Sequence, residues 1–387
     1  MKRPCDNPSL RFAWWAIVLF SIGVSALPAL AEDWPIARGD LKGSGVARST
    51  LPEVPELLWK YQPNDKAAFE ATAVVLNGIV YLGDTEGVFH AVKLADGNAV
   101  WTKAFEESSF VAAAAVDSER IYVGDLNGVV RGLAIANGEE LWRAELNGEI
   151  YAGPTLHGED LLVTSESGTL AALNAADGVE RWQFTIDAPL RCSPTIAGGR
   201  VMLAGCDSKL HFIDVANANE DFTVDIDGPT GATPAVHGDR VFFGTESGTF
   251  FAIDAVPKNG EKPAVAWTYR DPRRGQAIRS AAAANDKLVV YGSQGKGIYA
   301  LNPATGDEIW TLPTRSRVES SPVIVGERVV AATTGGIVYL LDIADGTPKW
   351  EHEAGGSFIA SPIVVEGRLI LGNGDGTLYC FGAKSEN

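Results

Sequence analysis

The stretch "SGTLAALNAADGVERW", residues 167–182, reads as a strand, a tight turn and a second strand. "TLAALN" is an apolar strand. "AADG" supplies a side chain that closes a turn and a glycine that accepts a left-handed backbone, and "VERW" resumes the strand. Close copies return at 86–101 ("EGVFHAVKLADGNAVW"), 127–142 ("NGVVRGLAIANGEELW"), 295–310 ("GKGIYALNPATGDEIW") and 335–350 ("GGIVYLLDIADGTPKW"). Aligned on the last aromatic residue, the series is Trp59, Trp101, Trp142, Trp182, Phe222, Trp267, Trp310 and Trp350, with spacings of 42, 41, 40, 40, 45, 43 and 40. A period of about forty residues is the signature of a repeat architecture.

Each unit has four parts. A small, apolar strand such as "SSPVIV" (320–325) is followed by a β-branched strand such as "RIYVG" (120–124), an alternating strand such as "TLAALN" (169–174), and the strand bearing tryptophan. No segment holds a helical period for more than a few residues. Four antiparallel strands per repeat predict an all-β, eight-bladed β-propeller. The tryptophans are read as structural rings packed between blades. Trp59 opens the series without inner strands before it, and "IASPIVVEGRLILGNGDGTLYCFGAK" (359–384) ends without a tryptophan strand. The two fragments complete each other, so "LLWKYQ" (57–62) is predicted to close the last blade and remove the open edges.

The organisation read from the chain is a signal peptide at 1–31, an N-terminal extension at 32–56, the propeller at 57–383 and a short tail at 384–387. Lys2, Arg3 and Arg11 precede or border the apolar run 12–30, and "ALA" (29–31) is a small-x-small cleavage site. Cys5 lies ahead of the run, so no lipid-attachment cysteine follows it and no lipid anchor is expected. The formal charge is −17; three bases and one acid in 1–31 leave −19 for 32–387. Such an acidic chain repels phosphate backbones, and nucleic acid is not an expected partner. Cys192 and Cys206 flank the turn "AGGR" at residue numbers that place them across a hairpin, and a disulfide between them is an expectation.

The motifs resemble the quinoprotein-like (PQQ-like) propeller repeat. Its tryptophan-docking motif runs Ala-x-Asp-x-x-Thr-Gly-x-x-x-Trp, and "ALNPATGDEIW" (300–310) matches it with Asn302 in the Asp place. The family has an enzymatic branch, quinone-cofactor dehydrogenases, and a non-enzymatic branch of BamB-like outer-membrane assembly factors. The first branch implies long insertions between blades, a vicinal cysteine pair and a carboxylate cluster for calcium; this chain has no adjacent cysteines and few insertions. The second implies protein partners of the cell envelope. It also implies a Leu-x-Leu-Arg stretch in a loop entering an inner strand, which "APLR" (188–191) matches at Leu190 and Arg191.

Counting three residues before the "SP" proline gives one rim position per blade: Glu70, Val111, Tyr151, Arg191, Gly231, Arg279, Glu319 and Ile359. Arg279 and Glu319, on adjacent blades, are expected to pair. The two departures from the period are 255–267 and 269–279, and the second places Arg270, Arg273, Arg274 and Arg279 in one basic loop on the rim. The five histidines show neither HExxH nor HxxxH spacing. The reading is an exported, monomeric, non-enzymatic scaffold without a cofactor or metal. Leu190, Arg191 and the arginine loop would anchor a protein partner. The alternative is a cofactor-binding enzyme using the channel.

Overall fold

Short apolar strands joined by glycine turns build eight sheets, and every named element among the described residues is a strand. The structure is a computed structural model that describes Met1, residues 32–255 and residues 262–384. The chain divides into Met1–Leu30 and Ala31–Asn387. Of the first unit only Met1 is described, so the signal peptide and its cleavage site lie outside the described residues, as do 256–261 of the first loop departure.

The blades are antiparallel sheets in chain order: 74–104, 115–145, 155–185, 195–225, 235–269, 283–313, 323–353 and 363–382, numbered here as blades 1 to 8. Blade 8 supplies three strands of its own. Its outer strand is Glu56–Tyr61, which pairs antiparallel with Leu378–Gly382, Trp59 opposite Cys380. The closure predicted from the two incomplete ends is therefore the closure found. An eight-bladed all-β propeller results.

Burial explains why the period reads as it does. The third strands pack against neighbouring blades and are buried for most of their length, as in Ile337–Asp342, whereas outer strands such as Glu180–Thr185 carry exposed and half-buried residues. Five of the tryptophans dock their blade on the next by a hydrogen bond. Nε1 of Trp59, Trp101, Trp142, Trp267 and Trp310 donates to the carbonyls of Leu94, Ile135, Ala175, Pro303 and Ile343, each in the following blade. The glycine of the docking motif is required by this contact. Gly138 sits at φ 71°, and a Cβ there would lie 2.6 Å from the Trp101 ring. At the same turn position after Trp182 the chain has Ala218, held at φ 61°.

The N-terminal extension has no period, and its placement was not foreseen. Residues 34–49 run once around the axis at the end of the ring where the first and second strands of each blade turn. Trp34 bridges Val75 with two 2.9 Å bonds. The carbonyls of Pro35, Leu41, Lys42, Ser44 and Gly45 then accept from Val116, Ile196, Val236, Ala284 and Ile324 in order. Val46–Ala47 adds parallel to Val323–Val325, and Ser49 Oγ accepts from Gly367 N at 2.8 Å. One segment thus bonds seven of the eight blades and stops one end of the channel. Trp34 is 3% exposed, so this segment is core and not a tail.

Candidate functional site

The opposite end of the channel is open. There the chain enters each inner strand, and the turns between second and third strands fold over it. A cavity of about 150 Å³ lies on the axis. Its wall is a ring of small residues, one from each blade: Thr72, Ala113, Gly153, Ser193, Thr233, Ala281, Ser321 and Ser361. Five of these precede a proline in the repeated "SP", "TP" or "GP", so the ring was present in the sequence as a repeated dipeptide. Proline biases the preceding residue to extended backbone, which suits the start of an inner strand.

Hydroxyls stitch the ring from blade to blade. Thr233 Oγ1 accepts from Ser193 N, Ser321 Oγ from Ala281 N, Ser361 Oγ from Ser321 N, and Thr72 Oγ1 from Ser361 N, each at 3.0 Å. Each hydroxyl meets a backbone donor, and its own O–H proton donates to no protein group among the described residues.

Arg38 lies at the floor, carried there by the plugging segment. It is 5% exposed. Its Nη2 donates to the carbonyls of Ala282 at 3.0 Å and Pro322 at 2.8 Å, while Nε and Nη1 have no partner among the described residues. Burial lowers its pKa to about 10, opposed by the nearby Asp40 carboxylate, so the guanidinium stays charged at neutral pH. Arg38 was missed in the sequence because "WPIARGDLKGSG" belongs to no repeat.

At the mouth, Val111, Tyr151, Arg191, Gly231 and Arg279 line the funnel. Arg191 pairs with Glu166, and its guanidinium lies 5.7 Å from the centre of the Tyr151 ring. Tyr151 Oη donates to Glu149 at 2.7 Å. Arg279 takes both Glu246 oxygens, at 2.8 and 3.3 Å. The carboxylate partners hold both arginine pKa values above the ordinary one. Glu70 does not line the cavity, and Glu319 turns to Gln294 and Arg317. The expected Arg279–Glu319 pair is therefore replaced by Arg279–Glu246, because the glutamate in the turn of Arg279's neighbouring blade reaches it first.

Other expectations are corrected. Leu190 is 1% exposed and packs in the core between blades 3 and 4, so it presents no surface to a partner. The arginine loop is divided. Arg279 faces the axis, whereas Arg273 and Arg274 line a separate cavity of about 230 Å³ with Asp271, Tyr299 and Glu308, and Arg270 is exposed. Asp271 explains the split: it accepts from Arg273 N at 2.8 Å and from Tyr299 Oη at 2.5 Å, pinning the loop to the outer side of blade 6. Cys192 and Cys206 are free thiols. Their hairpin pairs Ile196 with Val201, a register that sets Cys192 one residue off Cys206, and Cys206 Sγ faces the Thr230 carbonyl at 3.8 Å. Burial pushes the Cys192 thiol up to about 12.

Two buried histidines resemble catalytic groups but serve turns. Asp84 Oδ1 accepts from Glu86 N and Val88 N, and Oδ2 meets His90 Nε2 at 2.8 Å. Asp125 and Arg131 repeat the arrangement in blade 2. His211 meets Asp207 and Glu220 in blade 4.

The family model described as "Outer membrane protein assembly factor BamB" matches residues 53–135, 126–278 and 261–385. No curated protein sequence matches the chain. Among solved structures, BamB from Moraxella catarrhalis superposes with a TM-score of 0.70 at 18% identity, over 86% of this chain and 99% of that one. The computationally designed Ika8 protein gives 0.74 at 16% identity, over 85% and 100%. A quinohemoprotein alcohol dehydrogenase from Comamonas testosteroni gives 0.73 at 15% identity, over 92% of this chain and 81% of that one.

The last likeness raises the question of a quinone with calcium. Calcium takes about six to eight oxygen ligands, carboxylates prominent among them. No residue lining the funnel is Asp or Glu, and among the described residues no group of three or more His, Cys, Asp and Glu is placed to hold a metal ion. The lining does not fit a calcium-bound quinone.

Proposed function

Because the chain belongs to the family of the outer-membrane assembly factor BamB, we propose that it is an exported scaffold that docks protein partners of the cell envelope in outer-membrane protein assembly. The observation that carries this reading is the asymmetry of the channel. One end is stopped by the chain's own backbone, and the other presents an exposed Tyr151–Arg191–Arg279 mouth. Tyrosine and arginine are enriched among residues that dominate binding energy. Their rigid placement on blade loops lowers the ordering cost of docking. The mechanism is presentation: a closed ring fixes the loops, and the partner meets them without rearranging the scaffold.

The arginine–glutamate pairs at the mouth are exposed and contribute little to stability, which leaves them free to exchange partners. The test is crosslinked recovery of the tagged protein from the cell envelope, with wild type and an Arg191→Glu/Arg279→Glu variant compared. The reading expects an outer-membrane barrel assembly protein with wild type and its loss with the variant. Equal recovery with both would remove the mouth from the docking surface.

A further inference from the structure

The axial funnel gathers cations in a protein of formal charge −17: Arg38, Arg191 and Arg279 line it, and no Asp or Glu among the described residues does. Two of the three are matched at the mouth, Arg191 by Glu166 and Arg279 by Glu246. Arg38 is not. Its nearest acid, Asp40, is engaged by Lys42 N, Ser44 N and Ser44 Oγ in its own turn. Buried donors without partners are costly, and a guanidinium with two free nitrogens is the strongest such donor here.

The ring above Arg38 adds neutral donors. Thr72, Thr233, Ser321 and Ser361 already accept a backbone N–H, so each has its O–H proton left for a group inside the funnel. Three of them, Ser321, Ser361 and Thr72, lie on consecutive blades and form an arc. Donors, with two guanidinium nitrogens of a buried cation left without an acceptor, call for an anionic acceptor.

We infer that the funnel is a carboxylate-binding site, with Arg38 at its floor supplying the charge and the Ser/Thr arc supplying hydroxyl donors. A carboxylate has two oxygens and a single charge, and guanidinium pairs with it in a planar fork. A phosphate dianion would exceed a single cation whose charge Asp40 already partly offsets. A cavity of about 150 Å³ admits a small organic acid or the carboxylate end of a peptide chain. The inference does not rest on the docking reading, since a free small acid would satisfy the site without any partner.

The experiment is calorimetric titration of the full chain at fixed ionic strength with acetate, with a short peptide ending in a free carboxylate, and with the same peptide as its terminal amide. Two variants accompany wild type. Arg38→Gln removes the floor charge. Val111→Glu puts a carboxylate on the half-buried wall near the mouth, away from the core, and keeps the wild-type melting temperature. Binding of acetate or of the acid peptide is expected, with a loss of about tenfold or more in both variants, the scale of one charge-assisted hydrogen bond. Comparable affinity for acetate and peptide assigns a free small acid; much tighter peptide binding assigns a chain end. If neither probe binds, if the amide binds as well as the acid, or if Val111→Glu leaves affinity unchanged, the site is not a carboxylate site. Should Arg38→Gln not fold, Val111→Glu decides alone.

Discussion

The two ends of the channel close by different chemistry. At the plugged end a single segment, 34–49, satisfies inner-strand backbone groups one blade after another. At the open end no backbone of the described residues crosses the axis, and side chains do the work: hydroxyls between blades, Arg191 with Glu166, Arg279 with Glu246. Backbone bonds tolerate changes of side chain, so the plug is a stability device. The mouth depends on individual residues, so on the proposed docking reading changes there should alter recognition and leave the fold intact. Stability and partner docking are thereby assigned to opposite ends, while Arg38 reaches the funnel from the plug.

The largest test of that separation is Trp34→Ala. Trp34 is almost fully buried at the start of the plug, and loss of a buried tryptophan costs about 3–5 kcal/mol. Denaturant unfolding should show this loss, while an effect below about 1 kcal/mol would make the plug an appendage. A smaller and opposite effect is expected in the wall. Ala218 holds a left-handed backbone where other blades have glycine, so Ala218→Gly should stabilise by about 0.5–1 kcal/mol. A destabilised variant would refute the strain. At the open end Arg191→Ala should change stability by no more than about 0.5 kcal/mol, because its side chain is half exposed, and still weaken partner recovery.

The smallest effect concerns pH. His352 stacks on Trp350 and meets Phe381 edge-on; burial, then Lys60, holds its pKa below the ordinary imidazole value. The unfolded chain therefore binds this proton more readily than the folded one. Its contribution is intact above the ordinary imidazole pKa and is lost as pH falls through that value toward the folded one. His352→Gln should flatten a small part of the acid-side fall in melting temperature, and parallel curves would exclude the effect.

The blades were legible because a buried strand and a glycine turn recur at fixed spacing, and an aromatic residue, tryptophan in seven blades and Phe222 in blade 4, marks each outer strand. Even the closing strand Glu56–Tyr61 followed from two incomplete repeats. The plug was not legible, since one copy of "WPIARGDLKGSG" has no period and its bonds run through backbone atoms. Five of the eight counted rim positions, Val111, Tyr151, Arg191, Gly231 and Arg279, line the funnel, but the partners of the charged ones were not found. Glu166 and Glu246 sit in turns of the neighbouring blade, a distance that sequence spacing does not report. Leu190 failed as a surface anchor for the same reason: the preceding blade covers it.

The central claim is that partners dock on the open end and not on the plugged one. The direct measurement places a photo-crosslinking residue at Tyr151 on the mouth or at His157 in the first turn of the same blade, at the other end. Irradiation of the intact cell envelope should give an outer-membrane barrel protein adduct from position 151 and none from 157. An adduct from 157 alone, or equal adducts from both, would contradict the account.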